Sequence, residues 1–340
     1  MWMRTTILFV LVGIAPPISL GALVPQESGE VLPLQQVPLP DGLRTQIQEA
    51  LKKKDFVTAE ELLVKEIDSN PKSPPQLLTL LGSIFFLDGK YLNSAIAMKK
   101  AEGLSPLDER SRFTLVMAYI VLDKQDWAQP ELQKLNQKHP ENPQYWYWLA
   151  RLDYDAQRFQ AGITKLQKVI VLNSRFAKAY DNLGLCQEAL GQYDEAIRSY
   201  QKGVEINREL AAPSGWPALN LGILLAKLDR LDEAQGYLNE SLRNNPNLAQ
   251  SHYQLGVILE KKNEVERAVQ ELEKAATLDS SYSEPHYALG RIYRRLGQRE
   301  KAAAAFATFE RLKAVKRTRG APHIESQRQE VSSEGSSGPS

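Results

Sequence analysis

The chain has 340 residues, 43% apolar and 24% charged, with 42 basic and 41 acidic side chains and a formal net charge of +1. That balance supplies ample core and excludes a chain that recruits nucleic acid or an anionic membrane through bulk charge. Its one cysteine, Cys186, excludes an intrachain disulfide, so packing must carry the fold.

Arg4 precedes an apolar stretch, "TTILFVLVGIA", then Pro16-Pro17 and small residues around Gly21 and Ala22. This is the layout of an export signal over residues 1–21. The rival reading is a retained inner-membrane anchor over residues 7–24, which carry no charge; the proline pair splits that run and favours cleavage. The expected compartment is therefore periplasmic or secreted, with membrane contact only if the segment is kept. The single sequon, "NES" at Asn239, puts Ser241 on a packing position, which weighs toward a bacterial origin. Residues 22–39 are polar and proline-bearing and read as a flexible lead.

From residue 40 the chain becomes periodic. Gly82, Val116, Ala150 and Gly184 stand 34 apart; Gly222 follows after 38, and Gly256 and Gly290 resume the interval of 34. Twelve residues beyond these come Ser94, Ala128, Gly162, Ala196, Ala234, Ala268 and Ala302. Gly203 joins a third small position with Ala101, Ser241 and Ala275. Small residues at fixed intervals are what paired helices need where their backbones cross, since a larger group there costs about 1–3 kcal/mol. The pattern predicts a run of similar units, most of them 34 residues long, that touch one another at these small positions. The four extra residues before the sixth unit fall in "NRELAAPSGW", where a longer loop is expected.

At these positions the chain resembles the tetratricopeptide repeat family. The unit from Ala177 carries Tyr180, Leu183, Gly184, Ala196 and Tyr200; the last carries Leu289, Gly290, Tyr293, Ala302 and Phe306. The unit from Pro143 carries Trp146 and Leu149, with Ala150 in place of glycine. The resemblance implies an all-α, right-handed α-solenoid over residues 40–316, made of eight helix-turn-helix units near 40–73, 75–108, 109–142, 143–176, 177–210, 215–248, 249–282 and 283–316. It also implies a non-catalytic scaffold that takes a protein or peptide partner in a concave groove. Carried over position by position, the first part of that groove is Thr79, Phe86, Phe113, Met117, Tyr147, Arg151 and Tyr154. The last part is Tyr253, Glu260, Tyr287, Arg291 and Arg294. Aromatics and arginine are the commonest binding hot spots. Family members that grip a terminal carboxylate use a Lys-Asn pair, but those places here hold Tyr147 and Arg151, or Asp181 and Leu185. Asn182 and Asn220 match a secondary position only.

No constellation for catalysis, cofactor or metal stands out. Cys186 has no local histidine or basic neighbour and reads as a small buried hydrophobe. His252 and His286 occupy one register position, shared with Trp146 and Tyr180, and no third ligand repeats with them; a flat ring in an aromatic slot is the better reading. Asp194-Glu195 and Asp232-Glu233 open second helices, where acidic groups suit the helix N-terminus. Phe306 and Phe309 have no following helix to cover them, which makes the C-terminal end of the array a candidate for self-association. The basic cluster around Arg311 and Lys313 suits the helix C-terminus. Residues 317–340 hold no Leu, Phe, Tyr or Trp and are expected to be disordered.

Overall fold

The computed structural model describes residues 34–70 and 73–319. The expected export signal at 1–21, the lead as far as residue 33 and the tail from 320 lie outside them; residues 317–319, expected to begin a disordered tail, instead continue the last helix. The described residues form sixteen α-helices and no strand. Contacts divide the chain into two compact units that meet between Leu152 and Asp153.

The first unit holds α1 (Asp41–Lys52), α2 (Phe56–Ser69), α3 (Pro75–Leu87), α4 (Tyr91–Leu104), α5 (Glu109–Val121) and α6 (Gln125–Lys138). Helix α7 (Pro143–Asp155) carries the division between units. Each helix of α1–α6 packs on the next, and the first helices α3 and α5 also touch directly. Residues ahead of α1 depart from the flexible lead. Val37 and Leu39 are buried against α1 and α3 residues such as Ile47 and Leu80. The Arg44 guanidinium donates to the Val37 and Leu39 carbonyls at 3.3 and 2.9 Å. Two apolar side chains between prolines were enough to dock what composition alone reads as linker.

The second unit holds α8 (Phe159–Leu172), α9 (Ala177–Ala189), α10 (Tyr193–Arg208), α11 (Trp216–Lys227), α12 (Leu231–Asn244), α13 (Ala249–Lys261), α14 (Val265–Leu278), α15 (Ser283–Arg295) and α16 (Arg299–Arg319). Consecutive helices again pack together, and the first helices α9, α11, α13 and α15 adjoin one another in turn. The core is continuous from Ala196 to Ala305, with Leu221, Leu224, Leu238, Leu259, Leu272 and Ile292 at its centre. Both units are stacks of antiparallel helix pairs: the fold is an all-α solenoid of the tetratricopeptide kind.

Helical glycines sit where the periodicity placed close approaches. A Cβ built on Gly184 would lie 2.5 Å from the Tyr200 ring, on Gly256 2.7 Å from Leu272, and on Gly290 2.7 Å from Phe306. Gly222 and Gly82 leave 3.0 and 3.1 Å to Leu238 and Met98. Each partner lies 16 residues on, in the second helix of the same pair. Ala128, Ala196, Ala234 and Ala268 are wholly buried, and Ala302 nearly so. Gly203 differs: its nearest atoms would stand 3.4 Å from a Cβ, an ordinary contact. The crossing there has room for alanine, so Gly203 is not a required spacer.

A second register appears only in the backbone. Every pair turns through one left-handed residue: Lys54, Gly89, Asp123, Gln157, Gly191, Asp229, Asn263 and Gly297, with φ between 56° and 75°. The residue after each returns its N–H to a carbonyl five positions back, as Lys90 does to Phe85 at 2.8 Å and Glu264 to Leu259 at 2.8 Å. This closes the first helix and aims the chain into the second.

The four extra residues divide between helix and loop. Helix α10 has 16 residues where α8 and α12 have 14. The loop that follows is clasped by Asn207, 2% exposed. Its amide donates to the Ser214 carbonyl at 2.8 Å and accepts from the Ser214 N–H at 2.9 Å.

Candidate partner-binding site

The groove residues inferred from sequence fall into two sets, one in each unit. In the first, Phe86 and Phe113 are half-buried, and their rings pack edge-on against Tyr91 at 5.3 Å and tilted against Tyr145 at 5.5 Å. Thr79 is buried and gives its hydroxyl to the Gln76 carbonyl. Met117 is 2% exposed and lies in the core, and Tyr147 and Arg151 are buried at 9% and 8%. The accessible part of this set is therefore the pair of phenylalanines. Burial of the other four follows from helix geometry: a position one turn along a first helix also faces the neighbouring pair.

In the second unit the first helices are tied by polar side chains. Asn220 of α11 donates to both Asp181 oxygens of α9 at 3.0 and 3.1 Å, with both residues buried. Lys227 reaches Glu188 at 3.3 Å and lies 4.9 Å from the Tyr193 ring centroid. Arg291 of α15 donates to Glu260 of α13 at 2.5 Å, and Arg295 approaches the other oxygen at 3.7 Å. Sequence reasoning missed this ladder, because its partners lie 31 to 39 residues apart on different helices. It also uses the Asn220 amide internally, which leaves a carboxylate clamp without that donor.

Tyr253 stacks edge-on with Tyr282 at 5.2 Å, and burial raises its phenol pKa. Tyr154, on the last turn of α7, packs on Phe159 at 5.5 Å. At the end of the array Tyr287 is 43% exposed and contacts Phe306 and Phe309 at 5.9 and 5.1 Å. Cations lie over these rings: Arg291 over Tyr287 at 5.9 Å, Arg294 over Phe306 at 5.7 Å and Lys313 over Phe309 at 5.4 Å. Arg291 and Arg294 are exposed. The terminal pair thus sets cationic groups over its aromatic rings.

The two histidines of one register position have different surroundings. His252 is buried, with Nδ1 2.5 Å from Glu271 and Nε2 3.0 Å from the Pro246 carbonyl. Trp146 makes the matching clasp, its indole N–H giving 2.8 Å to the Pro140 carbonyl, also six residues back. His286 is half-exposed, and partial burial together with Arg311 lowers its pKa. Among the described residues no group of three histidine, cysteine or acidic side chains is placed to hold a metal ion. Cys186 is fully buried. No described helix is long and apolar enough to cross a membrane.

Models of the tetratricopeptide repeat match residues 175–247, 219–283 and 283–314. No curated protein matches the chain. Among solved structures it is similar to a tetratricopeptide repeat protein from Parabacteroides merdae, at 20% identity over 74% of this chain and 98% of that one, with a TM-score of 0.63. PilF of Pseudomonas aeruginosa is also similar, at 20% identity over 60% and 91% with a TM-score of 0.55. So is PilW, described as a widely conserved type IV pilus biogenesis factor, at 17% identity over 59% and 92% with a TM-score of 0.53. At these identities the likeness speaks to the fold alone. Three family matches on a stack of helix pairs lead to one conclusion: residues 175–314 are built of tetratricopeptide repeats.

Proposed function

We propose that this chain is a non-catalytic scaffold that holds a segment of a partner protein or peptide against the first helices of its pairs, in an exported compartment. The observation that supports it is the exposed cluster of Tyr287, Arg291 and Arg294 on α15. It gathers the residue types that dominate interface energetics at one place. Affinity capture with the intact chain, compared with a Tyr287→Ala/Arg294→Ala variant of equal stability, tests the reading. A partner retained equally by both proteins removes this face from the interface. A second reading, a membrane-anchored assembly factor, is favoured by the uncharged run of residues 7–24. N-terminal sequencing of the mature protein separates the two: a start near Ala22 supports export with cleavage, and a start at Met1 supports the anchor.

A further inference from the structure

Five buried carboxylates brace the helix pairs, and four of them have both oxygens occupied. Asp153 takes Arg158 on one oxygen at 2.8 Å and Lys165 on the other. Glu240 takes both arms of Arg208 at 2.7 Å. Glu131 takes Lys134 at 3.0 Å and Arg112. Asp181 takes the Asn220 amide on both oxygens. Glu60 on α2 is the exception. It is 7% exposed; its Oε2 accepts from Lys90 at 2.6 Å, but its Oε1 is buried and has no hydrogen-bond partner. Among the described residues it is the one buried carboxylate oxygen left in this state. Such an atom costs free energy unless something outside the fold satisfies it.

Glu60 lines an open groove of about 740 Å³ between α2 and α3. The walls are Glu61, Val64, Lys65, Asp68 and Phe85. Three carboxylates and Lys65 line it; Lys90 is shared between Glu60 Oε2 and Asp88, and Lys65 sits within one turn of Glu61 and Asp68, so neither ammonium is bonded to Glu60 Oε1. Val64 is 39% exposed and offers an apolar wall. The Phe85 ring already draws a cation, since Lys90 Nζ lies 6.0 Å from its centroid. Beyond Phe85 a smaller hollow of about 140 Å³ beside Leu81 and Ile96 continues the apolar surface.

We infer that this groove is a second binding site, specific for an arginine side chain of a partner polypeptide. The guanidinium places an N–H on Glu60 Oε1 and a second donor toward Glu61 or Asp68. Its planar face lies on Phe85, and its aliphatic stem runs along Val64. Lysine, a point charge on a flexible stem, satisfies the oxygen but has no planar group to stack on the ring. The neighbouring hollow receives an aliphatic residue adjacent to the arginine. The site lies on the second helix of its pair and is independent of the first-helix face proposed above.

The probe is an N-acetylated, C-amidated Gly-Arg-Gly tripeptide titrated into the full chain, with the Val64 methyl signals followed by NMR. Saturable shifts are expected with arginine and absent with the citrulline analogue, which keeps shape and loses charge. Glu60→Gln weakens binding about tenfold, the scale of one charge-assisted hydrogen bond. The exposed pair Glu61→Gln/Asp68→Asn, which leaves the core untouched, weakens it less. Tyr287→Ala/Arg294→Ala leaves it unchanged, so failure here is distinct from failure of the first-helix face. The inference is overturned if Val64 shows no saturable shift, if citrulline performs as well, or if Glu60→Gln and the surface pair both bind as the parent does. Tighter binding of free spermidine than of the tripeptide overturns the polypeptide source.

Discussion

Gly184 and Gly203 occupy helices of the same pair, and their alanine variants are expected to move stability in opposite directions. In a helix interior alanine is better than glycine by about 1 kcal/mol, so both changes begin with that gain. At Gly203 the new Cβ meets its neighbours at 3.4 Å or more and nothing opposes the gain. At Gly184 it lies 2.5 Å from Tyr200 Cε1 and 2.6 Å from Cδ1. The Tyr200 ring cannot retreat: it is wholly buried, and its hydroxyl donates to Glu188 at 3.2 Å. Overpacking of this kind costs about 1–3 kcal/mol, so Gly184→Ala loses roughly 1 kcal/mol net while Gly203→Ala gains a similar amount.

The two variants then differ by about 2 kcal/mol, or roughly 4–8 °C in melting temperature for a unit of this size. Thermal unfolding followed by circular dichroism at 222 nm, side by side, measures it. A double-mutant cycle identifies the cause. In a Tyr200→Ala background the ring is gone, and Gly184→Ala is expected to become neutral or stabilising. Equal melting of the two single variants, or an unchanged cost of Gly184→Ala without the ring, refutes the close-approach argument.

Gln157→Gly is expected to stabilise by about 1 kcal/mol, because a non-glycine residue held at φ 57° carries the left-handed penalty that glycine avoids; a lower urea midpoint contradicts this. Asn207→Ala removes both bonds to Ser214 from a buried position and is expected to cost about 1–3 kcal/mol, with faster amide exchange in residues 209–215 as the local signature. His286 has a folded pKa below the ordinary value of 6.5, through partial burial and Arg311, so the unfolded chain takes the proton first. Its contribution is intact above about pH 6.5 and falls as the pH drops through that value toward the folded pKa. His286→Gln should lose less stability between pH 7.5 and 5.5 than the parent does, and equal losses in urea midpoint would discount the histidine.

The part of the fold legible in the sequence is the part that rests on volume. Residue size is written in the sequence, so an interval of 34 between small residues was enough to locate crossings such as Gly184 on Tyr200 and Gly256 on Leu272. The left-handed turn has the same interval, yet only Gly89, Gly191 and Gly297 announce it; Lys54, Asp123, Gln157, Asp229 and Asn263 adopt it because the packed helices on either side impose it. Gly203 shows the limit of the volume argument. A small residue in the right register need not be a tight one, since clearance depends on how the neighbouring side chains lie. The Asn207 clasp was hidden for a related reason: an asparagine at a helix end reads as an ordinary cap until the loop folds back on it.

For the binding faces the limit is sharper, because a list of positions cannot tell a spent side chain from an unspent one. Asp181, Asn220 and Glu260 stand at first-helix positions, as a partner-binding set would require, but each is committed to a neighbouring pair. A partner that used them would have to break the ladder that holds α9 to α11 and α13 to α15. The phenylalanines and Tyr287 carry no such commitment through hydrogen bonds, and their rings can be covered without undoing the stack. Glu60 reverses the case: it lies on a second helix, outside the first-helix positions carried over from the family, yet one of its oxygens is unspent. Polar valence left over after the solenoid has closed on itself therefore marks where a partner gains most. On that measure the groove at Glu60 stands above positions that family geometry alone would have chosen.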